Sequence, residues 1–98
     1  MSESIEYEES TGNIFKDLGF DEQEAENLKI RSDLMMKLTS FIEDRGMSQR
    51  QAARFFEVHQ PRINALVKGK ISEFSIDTLI IMLAKAGFKI DYEIVQSD

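Results

Sequence analysis

Apolar residues recur along most of the chain at three- and four-residue steps, the period of helices that bury one side. Leu28, Leu34, Met35, Leu38, Phe41 and Ile42 line one face of a predicted helix over residues 22–45. Asp21, with Glu24 three residues on, resembles a capping box at its start, and Gly46 suits its end. A break within residues 28–31 is an alternative. Ser48 is an N-cap for a short helix, Gln49–Phe56, with Ala52, Phe55 and Phe56 inward. After a turn at Glu57 and Val58, His59 or Gln60 caps a third helix that runs to Lys68 and stops at Gly69. Pro61 falls in its first turn, where a missing N–H removes no bond. Ser75 and Ile76 open a fourth helix, with Leu79, Ile80, Met82 and Leu83 as its buried face and Gly87 as its end. Ile14, Phe15, Leu18 and Phe20 form a small apolar patch around Gly19.

The period then shortens to two. Phe88, Ile90, Tyr92 and Ile94 alternate with Lys89, Asp91 and Glu93, the pattern of a half-buried β-strand. A lone strand leaves its own backbone unpaired. Pairing with the same strand of a second copy would make Phe88, Ile90, Tyr92 and Ile94 a dimerisation face; pairing within the chain, with Ile5–Tyr7 or Ile14–Phe15, is the alternative. Residues 1–13 carry Glu3, Glu6, Glu8 and Glu9 and little to bury, which predicts an acidic disordered tail. The expected organisation is thus a tail (1–13), a helical domain (14–87) and a C-terminal strand (88–98). The fold class is mainly α, with four to five helices and that one strand.

A chain of 98 residues suits one domain. With no cysteine, disulfides, thiolate metal sites and cysteine nucleophiles are excluded. One histidine, His59, does not build a metal site, and no nucleophile accompanies the acidic run Asp21, Glu22, Glu24 and Glu26. An enzyme is therefore not expected, nor a cofactor. No apolar run reaches the ~18 residues of a membrane span, and the start lacks the basic and apolar pattern of a secretory signal. The default compartment is the cytoplasm.

Charge is divided unevenly. The net charge of −6 speaks against a polyanionic partner. Residues 45–70, however, hold Arg45, Arg50, Arg54, Arg62, Lys68 and Lys70 against a single acid, Glu57, a local net of +5. The other 72 residues carry −11. Phosphates respond to the local patch within about a Debye length. Residues 47–70 also show two short helices joined by a short turn, with Ala52 and Ala53 small enough for a close crossing. Val58, Ile63 and Leu66 would pin the second helix, which leaves Gln60, Arg62, Asn64 and Ala65 exposed. Amides pair with adenine, and a guanidinium with guanine or phosphate.

The stretch MSQRQAARFFEVHQPRINALVKGK resembles the lambda-repressor-like, or XRE, helix-turn-helix family at Gln49, Ala53, Ile63, Leu66 and Gly69. The resemblance implies a phosphate contact at Gln49 and groove contacts at Gln60, Pro61, Arg62 and Asn64. Arg50, Arg54, His59, Lys68 and Lys70 complete the candidate DNA-binding set. One departure is Glu57, which stands where the turn commonly holds glycine; a left-handed backbone there costs about 1 kcal/mol, so a slightly rearranged turn is expected. The flanks, DLGFDEQEAENLKIRSDLM and FSIDTLIIMLAKAGFKIDYEI, look like a subgroup encoded beside toxins of the HigB or RelE type. That resemblance implies a HigA-type antitoxin that represses its own promoter. The expected partners are a double-stranded DNA operator, a second copy and such a toxin. A stand-alone or phage-derived regulator and a protein-interaction module without DNA binding are the alternatives.

Overall fold

A computed structural model of the chain describes residues 13–96; of the expected tail over residues 1–13, all but Asn13 lies outside them. The described residues form five α-helices: α1 (Ile14–Asp17), α2 (Glu22–Asp44), α3 (Gln49–Phe56), α4 (Gln60–Val67) and α5 (Ile76–Lys85). A 3-10 turn, Ile71–Glu73, joins α4 to α5. α2 is the spine, against which α1, α4, the 3-10 turn and α5 pack, while α3 packs on α4.

The local chemistry explains most boundaries. Asp21 accepts from the Glu24 amide at 2.8 Å and starts α2. α2 runs through residues 28–31 without a break. Side-chain pairs one turn apart span that point: Arg31 Nε donates to Asn27 at 2.7 Å, and Lys29 meets Asp33 at 2.9 Å. α1 is a single turn that the apolar pattern does not resolve. Asn13 caps it by accepting from Phe15 and Lys16 and donates from Nδ2 to the Ala25 carbonyl at 3.0 Å, which ties α1 to the start of α2.

The core joins four helices and one loop residue. Met35, Leu38, Phe41 and Ile42 meet Ala52, Ala53 and Phe56, with Ile63, Ala65 and Leu66 and then Leu79, Met82 and Leu83 closing the other sides. Phe74, buried to 2% exposure, reaches in from the loop after the 3-10 turn. An aromatic group lies at one end. Phe41 sits 5.6 Å from Phe55, 6.1 Å from Phe56 and 5.8 Å from Phe88, ring centre to ring centre. Each such pair adds about 0.5–1.5 kcal/mol beyond burial.

Three expectations about burial are corrected. Phe55 is 39% exposed, because it lies across the outside of Phe41 and Phe56 and not beneath them. Ile80 is also partly exposed, at 42%, on the outer side of α5. Ala65, expected on the open face, is buried, in the wall that α4 shares with Phe74.

The expected C-terminal strand is absent: among the described residues none is in a strand, and 88–96 carry no regular structure. A strand is defined by its partner, and the described residues offer this segment none. Phe88 does not serve as a strand residue. Its amide donates to the Leu83 carbonyl at 3.0 Å, past Gly87, and its ring packs on Phe41, which closes α5. Ile90, Tyr92 and Ile94 remain exposed.

Candidate nucleic-acid interface

Two helices of eight residues, α3 and α4, form the unit that carries most of the candidate residues. Ser48 and Gln51 cap α3 reciprocally: the Ser48 hydroxyl accepts from the Gln51 amide at 3.1 Å, and the Gln51 side chain accepts from the Ser48 amide at 2.8 Å. This places Gln49 on the first turn, half-buried, and Arg50 and Arg54 on the exposed side one turn apart.

The turn between the helices is a complete left-handed cap. Glu57 has φ 59° and ψ 46°. Its amide donates to the Arg54 carbonyl at 3.3 Å, and the Val58 amide to that of Ala53 at 2.9 Å. The turn is therefore not rearranged by the missing glycine, in contrast to the expectation. Lys85, from α5, braces it: its ammonium donates to the Phe56 carbonyl at 2.9 Å and lies 3.2 Å from the Glu57 carboxylate.

His59 is the N-cap residue of α4, but its side chain makes no cap bond and is exposed. Gln60, Asn64 and Lys68 recur every four residues, so they form one stripe on the side of α4 away from buried Ile63 and Leu66. Pro61 lies beside that stripe, exposed. Arg62 does not share it. At about 100° per residue it is turned roughly 200° from Gln60. Its guanidinium sits 5.3 Å over the Phe74 ring and donates to the Glu73 carbonyl at 3.3 Å. Asn64 is only half-exposed, and its Oδ1 is buried without a hydrogen-bond partner.

Charge on this side is uncompensated. The ion pairs among the described residues are Lys16–Glu22, Lys29–Asp33 and Lys85–Glu57. None involves Arg50, Arg54, Lys68 or Lys70, and all four are exposed. A family model described as a helix-turn-helix domain matches residues 14–95. The chain belongs to that helix-turn-helix family. Comparison with curated proteins finds no match.

Membership points to a DNA-binding regulator, and α3, the turn at Glu57–His59 and α4 have the plan of two short helices joined by a turn. Two braces of the unit come from outside the motif and carry no sequence signal. Lys85 is 28 residues from Glu57. Arg31 donates to the Ile71 and Phe74 carbonyls at 3.1 and 3.2 Å, across 40 residues and more, and holds the 3-10 turn against α2. Phe74 had a signal, a lone large apolar residue between Gly69 and the Ser75 cap. Among the described residues no helix is long and apolar enough to cross a membrane.

Proposed function

We propose that the protein is a sequence-specific repressor that inserts α4 into the major groove of its operator. The observation that carries this reading is the stranded Oδ1 of Asn64, on the same stripe as Gln60 and Lys68. A buried acceptor without a partner costs about 1–3 kcal/mol. A rotation of the amide towards an adenine edge supplies the missing donor and uses both ends of the side chain. Gln60 and Pro61 are the other base-facing groups. Arg50, Arg54, Lys68 and Lys70 are phosphate contacts, with Gln49 and His59 at the two helix starts. Arg62 contacts the backbone from the flank, with Phe74 and Glu73 fixing its head.

Two α4 helices about 34–36 Å apart would read successive turns of DNA, which calls for a dimer. Exposed Ile90, Tyr92 and Ile94 support pairing of this segment with its copy across a two-fold axis, a partner that it lacks among the described residues. Phe88 is excluded from that face by its place in the core. The likeness of the flanking segments to the HigA-type subgroup, and the acidic balance outside residues 45–70, support an antitoxin whose partner is a basic, RNA-cleaving toxin.

The test is a mobility shift with the DNA upstream of the protein's own gene, against scrambled DNA at matched salt. A shift for the former at 10³-fold or more lower concentration is expected, about the lower bound for specific over non-specific binding. Equal shifts would leave only electrostatic association, and no shift at low salt would favour a protein-interaction module.

A further inference from the structure

α2 carries a second surface, beside the end of α4. A groove of about 300 Å³ runs there past Ser32, Met36, Ser40 and Val67, and no charged residue lines it. Met36 is 63% exposed, with the Ser32 hydroxyl 3.9 Å from its sulfur. At about 100° per residue, Lys29, Ser32, Ser40 and Glu43 all fall within about 40° of Met36 around α2. The five residues make one stripe about 21 Å long. Towards the start of α2 the stripe stops at Ala25, which is buried and has Asn13 on its carbonyl.

The stripe is its own complement. Counted outwards from Met36, a serine stands four residues away on each side and a charged residue seven away on each side. The two charges are opposite, Lys29 at one end and Glu43 at the other. Laid antiparallel about a two-fold axis at Met36, Ser32 faces the partner's Ser40, and Lys29 faces the partner's Glu43, twice over. The small serines leave room for Met36 of one copy between Ser32 and Ser40 of the other. A parallel pair would set Lys29 against Lys29 and Glu43 against Glu43. Within one chain Lys29 meets Asp33 at 2.9 Å, while Glu43 has no ion-pair partner among the described residues. The lengths also agree. α2 ends at Asp44, which in this register lies opposite Leu28, so the partner's helix stops short of Ala25. The C-terminal segment departs from another side of α2: Lys37, turned about 100° from Met36, is the residue that lies 5.7 Å over the Phe88 ring.

We infer that two copies of the chain pair through α2, antiparallel and centred on Met36, with a Lys29–Glu43 ion pair at each end. One helix face makes a small interface, below about 1,200 Å² in total, and the pairing is weak, with a Kd of about 10–100 µM. It is a contact apart from, and weaker than, the pairing of residues 88–96. A contact of this strength joins molecules that are already held close, such as neighbours on one DNA. Only that use rests on the DNA-binding reading; the pairing itself is measured without DNA.

The chain has no cysteine, so Ser32→Cys and Ser40→Cys each add a single thiol. Full-length variants, one of them with a size tag, are mixed at about 0.2 mM, above the expected Kd, and mildly oxidised. A disulfide-linked mixed dimer is expected. Neither variant alone should link, because like positions lie about 12 Å apart along the axis, beyond the reach of a disulfide. Linking of Ser32→Cys to itself would show a parallel pair, and no linking in the mixture would show no pair; either overturns the proposal. Sedimentation equilibrium tests the charges. Glu43→Lys should weaken the pairing about tenfold, and Lys29→Glu/Glu43→Lys should restore it. A double variant as weak as the single one would overturn the register. The mixed disulfide should still form when both chains carry Ile90→Asp and Tyr92→Asp. Its loss there would hand the contact to the C-terminal segment and overturn the pairing through α2.

Discussion

Asn64→Ala is expected to stabilise the free protein and cripple operator binding. The substitution removes a buried oxygen that has no partner, a relief of about 1–3 kcal/mol. Alanine also exceeds asparagine in helix propensity by about 0.5 kcal/mol. Against this stands the lost contact of a half-buried side chain, about 0.5–1 kcal/mol. The net is a gain of about 0.5–3 kcal/mol, with roughly 4–8 °C in Tm for each kcal/mol in a domain of this size. Urea melts followed by circular dichroism read the gain. Fluorescence anisotropy on operator and scrambled duplexes reads the loss, about 1–3 kcal/mol of specific affinity with little change on scrambled DNA. The two signs make the outcome diagnostic. A variant less stable than the parent would mean that the oxygen is already satisfied in the free protein. An unchanged base preference would mean that the Gln60–Asn64–Lys68 stripe is not the reading face.

Three further outcomes follow from the same geometry. Glu57→Gly should be neutral or gain up to about 1 kcal/mol, because relief of a left-handed backbone outweighs added chain entropy and one exposed ion pair. Glu57→Val, β-branched at the same φ of 59°, should lose about 1–2 kcal/mol in the same melts; equal stability of the two would show that the turn is not held left-handed. Operator affinity should fall steeply with salt, and removal of any one of Arg50, Arg54, Lys68 or Lys70 should reduce the log–log slope by about one; a flat salt dependence in the parent would remove the phosphate assignment. Ile90→Asp with Tyr92→Asp should turn a dimer into a monomer by sedimentation while helical content is kept, and a dimer that survives would move the two-fold contact to the helices.

The limits of α3 and α4 were readable because they are written in local chemistry. The Ser48–Gln51 box, Pro61 in the first turn and Gly69 after the last act on neighbours within five residues. What escaped the sequence depends on partners far along the chain. Residues 88–96 alternate like a strand, but alternation describes which sides are apolar and not whether a partner edge exists. Phe88 fits that alternation and is nonetheless drawn to Phe41. Ala65 looks outward on the helix until Phe74 arrives beside it, and Arg62 looks free until the same loop offers it a ring and a carbonyl. The difference matters for function, because helices of eight residues have little stability alone and take their tilt from what holds their ends. Lys85 holds the entry to α4 through Phe56 and Glu57, and Arg31 holds its exit through Ile71 and Phe74. The orientation of α4 and of its exposed stripe is therefore set in part by two cations, Lys85 and Arg31, on helices outside the motif that the sequence announces.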